Sequence, residues 1–336
     1  MKPEHSIRLS ILIVTFNSAE LIGPLLEHLK QELMEAFAFG TPQSRAEVIV
    51  LDNASNDQTF EIISTHYPWV NAIASSVNLG FAAGNNLAAR QAQGHYLLLL
   101  NPDTRPQAGA LAKALELLAQ HPETGMAGGE LMTPEGENQT SARMFPTLVD
   151  EFFRLSGLAY RFPHHPVISR LNRAGTDPLT ACKVDWVTGA FVFIPRAVFR
   201  DLGGFDENFF MYFEEVDLCK RIRHAGLPVY YWPALKCVHI GGASAKTLGS
   251  EHYSASNAQI ERWQMRSYFL YYRKYQGWAG AAGAFALEWV FCTLRRLLAV
   301  LKGRHNEAAH YTKQHVLLHQ AWTDTAGGRV SPQRPW

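Results

Sequence analysis

Between residues 203 and 221 the chain reads GGFDENFFMYFEEVDLCKR, and five carboxylates fall within it: Asp206, Glu207, Glu214, Glu215 and Asp217. Phe205, Phe209, Phe210, Tyr212 and Phe213 interleave with them. An acid set among aromatic rings loses water, and desolvation raises its proton affinity towards that of a general base. Glu214 and Glu215 also stand where a helix begins, and a helix N-terminus favours anions and needs caps. That plainer role accounts for one carboxylate but not for the cluster.

Other polar residues gather at the ends of apolar runs. HYLLLLNPDTRP (95–106) is a short apolar run bounded by Gly94 and Pro102, which reads as a buried strand ending at Asp103. Asn101 and Thr104 add oxygens there, and Mg2+ or Mn2+ takes oxygen ligands, often one or two carboxylates plus substrate phosphates. Asn-Pro-Asp-Thr is also a good type I turn, and on spacing alone the turn is the better reading. Asp52, in VLDNASNDQT, stands at the mouth of another strand, where it can accept from a base N–H or a ribose hydroxyl. An Asx-turn explains it equally well, with Asn53, Ser55 or Asp57 capping the next helix. In NLGFAAGNN, Gly80 and Gly84 flank a helix start that can face a phosphate, although Gly80 by itself reads as a turn. His239, in KCVHIGGAS, follows a strand-like piece, and Gly241 and Gly242 behind it permit close approach of a bulky anion.

The elements that must position these residues alternate in the first third of the chain. LSILIV (9–14), AEVIVLD (46–52), VNAIAS (70–75) and YLLLL (96–100) are strand-like, and helical spacing follows each of them. Such alternation predicts a parallel sheet with covered faces, in which ligands bind beyond the carboxyl ends of the strands. Strand-like segments return at VDWVTGAFVFIP (184–195) and PVYYWP (228–233), with a helix over EEVDLCKRIRHAG between them. Residues 130–181, rich in Pro, His, Arg and Gly, read as an insertion or lid. No GxGxxG follows the first strand and no GxxxxGK[ST] occurs, so nicotinamide and P-loop readings lose their main support.

A net charge of +1 argues against a nucleic-acid binder, and four cysteines without CxxC pairing argue against a zinc site or a disulfide framework. A reducing cytosolic setting fits. Residues 1–8 carry no signal-peptide apolar core. From Arg262 to Arg304 eight basic residues face one acid, Glu288, and WAGAAGAFALEWVFCTLRRLLAVLKG is strongly apolar. On a helix Glu288, Arg295 and Lys302 share one side. This pattern predicts a helix lying in a membrane interface rather than spanning it; packing on the protein's own core is the alternative.

Seven motifs in order, ILIVTFN, VIVLDNASNDQT, NLGFAAGNN, LLLLNPD, WVTGAFVFIPR, GGFDENFFMYFEEVDLCKRIRHAG and HIGGAS, resemble the family-two inverting glycosyltransferases, most of all their rhamnosyltransferase-like branch. The resemblance covers roughly residues 8–245. It implies a GT-A fold, an α/β architecture with a mostly parallel central sheet flanked by helices. The domains expected are 1–260, with the 130–181 insertion, and a helical, basic and apolar region at 261–336.

Site roles follow from the resemblance position by position. Thr15, Asn17, Asp52, Asn53, Gly80 and Asn101 match nucleotide-binding positions, with Asp52 reading the pyrimidine. Asn101-Pro102-Asp103 matches the Asp-X-Asp metal motif with its first Asp replaced by Asn, and His239 matches a metal or diphosphate contact, the metal being Mg2+ or Mn2+. Trp186, Gly189, Ala190 and Asp217 fall in the donor and acceptor pocket. Glu215 matches the catalytic base, with Glu where the family has Asp, and Glu214 is the second choice.

The branch implies transfer of L-rhamnose from dTDP-L-rhamnose, or another sugar from a dTDP- or UDP-sugar. The acceptor would be a glycan or a polyprenyl-diphosphate-linked sugar, in synthesis of cell-wall or O-antigen polysaccharide. Such an enzyme is expected in the cytoplasm, peripheral at the inner face of the plasma membrane. Two rivals remain. A nucleotidyltransferase would need a glycine-rich basic loop where TFNSAELIG stands, and a non-catalytic sugar-nucleotide-binding protein would not need the acids at 214–217.

Overall fold

The computed structural model describes residues 8–37, 46–174, 176–240 and 258–332. Among them the strands are β1 (Leu9–Thr15), β2 (Ala46–Asp52), β3 (Asn71–Ala74), β4 (Tyr96–Leu100), β5 (Thr104–Pro106), β6 (Met126–Met132), β7 (Asn138–Gln139), β8 (Ala142–Arg143), β9 (Cys182–Val184), β10 (Trp186–Val187), β11 (Phe191–Pro195) and β12 (Val229–His239). The helices are α1 (Ala19–Phe37), α2 (Thr59–His66), α3 (Gly80–Gln91), α4 (Ala110–Gln120), α5 (Leu148–Leu155), α6 (Leu158–Arg161), α7 (Arg196–Asp201), α8 (Glu214–His224), α9 (Ala258–Leu301) and α10 (His305–Asp324). The chain forms two compact units. One takes Met1–Arg143, Asp177–Asp206 and Glu215–Leu248; the other takes Met144–Thr176, Glu207–Glu214 and Gly249–Trp336.

The first unit is built on a sheet of order β3-β2-β1-β4-β11-β6-β12-β5, with β7 on β6 and β9 on β12. β3, β2, β1 and β4 are parallel, and β12 runs parallel to β6. β11 runs antiparallel between β4 and β6. β1 and β4 are apolar without alternation because both their faces are covered. α1 turns Ile22, Leu25, Leu26, Leu29 and Leu33 inward at helical spacing. The expected α/β architecture, a mostly parallel sheet flanked by helices with helices at the C-terminal end, is therefore the one observed.

Three segments differ from the sequence reading. Residues 130–132, expected to open an insertion, are the end of β6 inside the sheet. Gly128 and Gly129 hide this strand, since glycine weakens a strand signal, yet the packing demands them. A Cβ at Gly129 would stand 2.1 Å from the Leu235 carbonyl oxygen, and one at Gly128 would stand 2.7 Å from Val187. The segment 184–195 is not one strand: β10 leaves to pair with β8 in a two-stranded ribbon, and β11 returns to the main sheet. Finally, Pro233 does not end β12. The strand absorbs it in a register shift between Trp232 and Lys236 and continues to His239.

The second unit is helical. Thr147 and Asp150 form a reciprocal capping box at the start of α5. Gly277, with φ 68° and ψ −166°, kinks α9. The half of α9 before that kink buries Trp263, Phe269, Tyr271 and Tyr272. Arg262 and Arg266 both pair with Asp324 of α10. Arg154 of α5 bridges Glu151 and Glu288, and Arg295 donates to the Leu155 carbonyl. Glu288 and Arg295 thus face α5, while Lys302 is exposed. Among the described residues no helix is long and apolar enough to cross a membrane.

Candidate active site

The turn predicted at Asn101–Thr104 forms. The Asn101 carbonyl accepts from Thr104 N at 3.3 Å and from Thr104 Oγ1 at 2.6 Å, while Asn101 N donates to the Ala190 carbonyl at 3.0 Å. The turn also delivers Asp103 to a second strand. β12 pairs with β5 so that His239 lies opposite Thr104, and Ile240 N donates to the Asp103 carbonyl at 3.0 Å. His239 Nε2 then stands 3.6 Å from Asp103 Oδ1, with Asp103 buried. Burial pushes the His239 imidazole below its ordinary 6.5, and the Asp103 charge opposes that shift. On the far side of the ring, Nδ1 lies 2.9 Å from Gln139 Oε1, and Gln139 Nε2 donates to the His239 carbonyl at 2.7 Å. Gly241 and Gly242 lie outside the described residues.

Asp52 and its neighbours lock the carboxyl ends of β1 and β2. Ser55 donates twice to Asp52, from Oγ at 2.5 Å to Oδ1 and from N at 3.2 Å to Oδ2, so Asp52 closes a local turn, while the N-cap of the next helix is Gln58 and not Asn53, Ser55 or Asp57. A carboxylate offers about four lone-pair sites, which leaves it acceptor capacity. Burial pushes the Asp52 carboxyl above its ordinary 3.8; the two Ser55 hydrogen bonds pull it down and Asp57 adds to the rise. Asn17, with φ 48°, accepts from Asn56 N through Oδ1 at 2.8 Å. Thr15 is fully buried, and its hydroxyl has no hydrogen-bond partner among the described residues. Asn53 is a strut: its amide donates to Asn78 Oδ1 and the Gly80 carbonyl and accepts from Leu79 N. Gly80 opens α3 at φ 80°, a backbone state that suits glycine.

Glu214 and Glu215 are the first residues of α8. The two residues before them, Tyr212 and Phe213, both sit at positive φ, 68° and 66°. For non-glycine residues this costs about 1 kcal/mol or more apiece, strain of the kind that collects at functional sites. Glu215 lies against the β10–β11 loop: a Cβ on Gly189 would stand 3.6 Å from Glu215 Cβ and 3.6 Å from the Phe81 ring. Ala190 is buried. Trp186 lies in β10 opposite Arg143 of β8, whose guanidinium is 5.5 Å over the indole. Burial pulls the Arg143 guanidinium below its ordinary range, and the charge of Glu215 opposes the shift. Asp217 has no exposed surface and holds Arg221, which donates to the carbonyls of Leu202 and Gly204. Glu214 is buried.

A chain of contacts links these positions. Asn53 holds Gly80; Phe81 meets Gly189; Gly189 meets Glu215; Ala190 holds Asn101; and Asp103 faces His239. Besides Phe81 of α3, sequence reasoning missed Gln139 and Arg143, which contact His239 and Trp186. Both lie in two-residue strands inside the span read as an insertion, and strands that short leave no periodicity. Arg143 within the polar stretch NQTSAR was the available signal.

The fold and the family of the chain are those of a nucleotide-sugar-dependent glycosyltransferase. Residues 10–203, more than half the chain, match the model of Glycosyl transferase family 2, and the chain belongs to that family. It is 27% identical over 303 residues to the N-acetylglucosaminyl-diphospho-decaprenol L-rhamnosyltransferase of Mycobacterium tuberculosis, covering 87% of this chain and 91% of that protein. It is 27% identical over 272 residues to rhamnosyltransferase WbbL of Escherichia coli, covering 78% and 91%. The mannosyltransferase PcManGT from Pyrobaculum calidifontis, solved in complex with GDP-Man and Mn2+, aligns with a TM-score of 0.53 at 16% identity, over 97% of this chain and 89% of that one. That likeness concerns the fold.

Proposed function

We propose that the protein is an inverting rhamnosyltransferase moving L-rhamnose from dTDP-L-rhamnose to a hydroxyl of a lipid-linked or polysaccharide acceptor, in cell-surface polysaccharide synthesis. The observation that carries the reading is the pair Asp103 and His239, two ligand-type atoms 3.6 Å apart at the carboxyl edge of the sheet. The names of the two rhamnosyltransferase relatives support the sugar and the lipid-linked acceptor.

Among the described residues no group of three or more His, Cys, Asp or Glu side chains is placed to hold a metal. The residues present still fit Mg2+ or Mn2+, which takes one or two carboxylates and completes its shell with substrate phosphates. Asp103 and His239 would hold it. When bound, the cation neutralises charge that develops on the leaving diphosphate.

Glu215 is the general base: its carboxylate takes the proton of the acceptor hydroxyl as that oxygen bonds to the anomeric carbon. Glu214 is the second choice. With base and leaving group on opposite faces of the sugar, a single displacement inverts the anomeric centre. Asp52 accepts from the pyrimidine. Thr15, Asn17, Asn53, Gly80 and Asn101 complete the nucleotide site, and Trp186, Gly189 and Ala190 the donor and acceptor pocket; Asp217, expected in that pocket, has no exposed surface and holds Arg221 instead. Residues 1–260 form the transferase domain, and 261–336 associate with the inner face of the plasma membrane.

Thermal shift with dTDP-L-rhamnose, UDP-sugars and GDP-mannose, each with Mn2+, tests the donor. The expected result is the largest rise in Tm with dTDP-L-rhamnose, since a bound ligand stabilises the native state. A larger rise with another sugar nucleotide keeps the enzyme class and replaces the donor; no rise with any of them removes the reading.

A further inference from the structure

Gln139 makes two hydrogen bonds to one residue. Its Nε2 lies 2.7 Å from the main-chain carbonyl oxygen of His239, and its Oε1 lies 2.9 Å from the Nδ1 of the same histidine. The carbonyl can only accept, so the Gln139 atom that meets it must be the amide nitrogen. The opposite amide orientation would set two oxygens against each other. Oε1 is therefore the atom left for the ring, and it too can only accept. Nδ1 must carry the hydrogen. In a neutral imidazole the other nitrogen, Nε2, is then a bare lone pair.

That lone pair faces Asp103 Oδ1 at 3.6 Å. Neither a lone pair nor a carboxylate oxygen can donate to the other. Two acceptors held this close, with Asp103 buried, call for a positive charge between them, supplied by a metal ion or, in its absence, by a proton on Nε2. The backbone fixes the same geometry: Asn138–Gln139 pairs with the end of β6, and His239 ends β12, which also pairs with β6. Gln139 thus reaches His239 across β6, to which both strands pair, and holds both its main chain and its ring.

We infer that Gln139 is a positioning residue for a divalent cation: by accepting from His239 Nδ1–H it directs the His239 Nε2 lone pair into the gap shared with Asp103. The inference rests on the metal reading given under Proposed function and adds to it the residue that selects the tautomer. Partners of this kind on a metal-ligating histidine alter metal affinity about 10- to 100-fold.

The test is a Mn2+ titration by electron paramagnetic resonance on the full chain with dTDP present, in wild type, Gln139→Leu and Gln139→Glu. 15N NMR of the histidine rings accompanies it, with His239→Ala used for assignment. In wild type without metal, the His239 ring should carry a proton on Nδ1. Gln139→Leu should bind Mn2+ about 10- to 100-fold more weakly, while its metal-free affinity for dTDP stays as in wild type. Gln139→Glu keeps an acceptor for Nδ1–H but sets its second oxygen, where the amide nitrogen was, against the His239 carbonyl; it should therefore restore part of the Mn2+ affinity lost in Gln139→Leu, a recovery that a purely packing role would not give. A wild-type proton on Nε2 and none on Nδ1, or Mn2+ affinity unchanged in Gln139→Leu, overturns the inference alone. A wild-type chain that binds no Mn2+ overturns the metal reading, and the inference with it.

Discussion

Arg143 lies 5.5 Å over the ring of Trp186, its cross-strand partner, and the same buried guanidinium is the cation whose charge couples to Glu215. A charge taken out of water persists where a partner of opposite sign compensates it. Glu215 is such a partner, and the Trp186 ring adds a face that favours cations. Arg143→Met should lower kcat/KM about 100-fold, while Arg143→Lys, which keeps the charge and loses the planar stack, should lower it about tenfold. Steady-state kinetics on the two variants checks the order. Equal loss in both would assign Arg143 to the stack alone.

Glu215 and Glu214 are adjacent in sequence and differ in surroundings: Glu215 meets the Gly189 loop, while Glu214 is almost wholly buried. Glu215→Gln should leave dTDP binding intact and slow transfer by about 100- to 10,000-fold, the usual contribution of a general base. Glu214→Gln should slow it far less. Calorimetry for nucleotide binding and a radiolabelled transfer assay for turnover separate the two. Wild-type transfer by Glu215→Gln would end its assignment as base.

Asp52 predicts a pH dependence of stability. Burial raises its carboxyl above the ordinary 3.8, so between 3.8 and the raised value the native state holds more proton than the unfolded chain. Stability then falls as pH rises through that window and is level above it. Asp52→Asn carries no charge to bury. Its Tm relative to wild type should climb from pH 3.8 upward and then plateau, while its affinity for dTDP drops. A Tm difference that shrinks with rising pH would contradict the assignment.

Strands whose burial covers both faces were legible in the sequence, because LSILIV and YLLLL have no other use for so many adjacent apolar side chains. β6 was not, since its glycines are chosen by the approach of Leu235 and Val187, partners distant in sequence. The same holds at the site. Asp103 and His239 could be singled out by residue type and by the strands before them, but Gln139 acquires its role only through the pairing of β7 with β6. For Asp103 and Asp52 the turns expected from the sequence form, and a residue in such a turn remains placed to accept from a ligand. For the C-terminal region, periodicity gave the side shared by Glu288 and Arg295 and could not say that α5 covers it.

That covering leaves the rest of α9 to be explained. Val290, Leu294, Leu297, Leu298 and Leu301 are exposed, and their spacing places them along one stripe of the helix. Arg296 is exposed about 100° around the helix from Leu297, and Lys302 and Arg304 are exposed just past the end of α9. An apolar stripe that ends in cations fits the boundary between acyl chains and anionic head groups, where each basic residue adds about 1 kcal/mol. Leu297→Asp combined with Leu301→Asp should reduce co-sedimentation with vesicles containing phosphatidylglycerol by at least about tenfold per leucine. Charge reversal at Arg296 and Lys302 should weaken it in a way that high salt reproduces in wild type. Transfer to a short, water-soluble acceptor should survive both changes, since neither alters a residue of the first unit. If the double aspartate variant sediments with vesicles as wild type does, the stripe is not the membrane contact, and the exposed Val149 and Phe152 of α5 become the residues to change next.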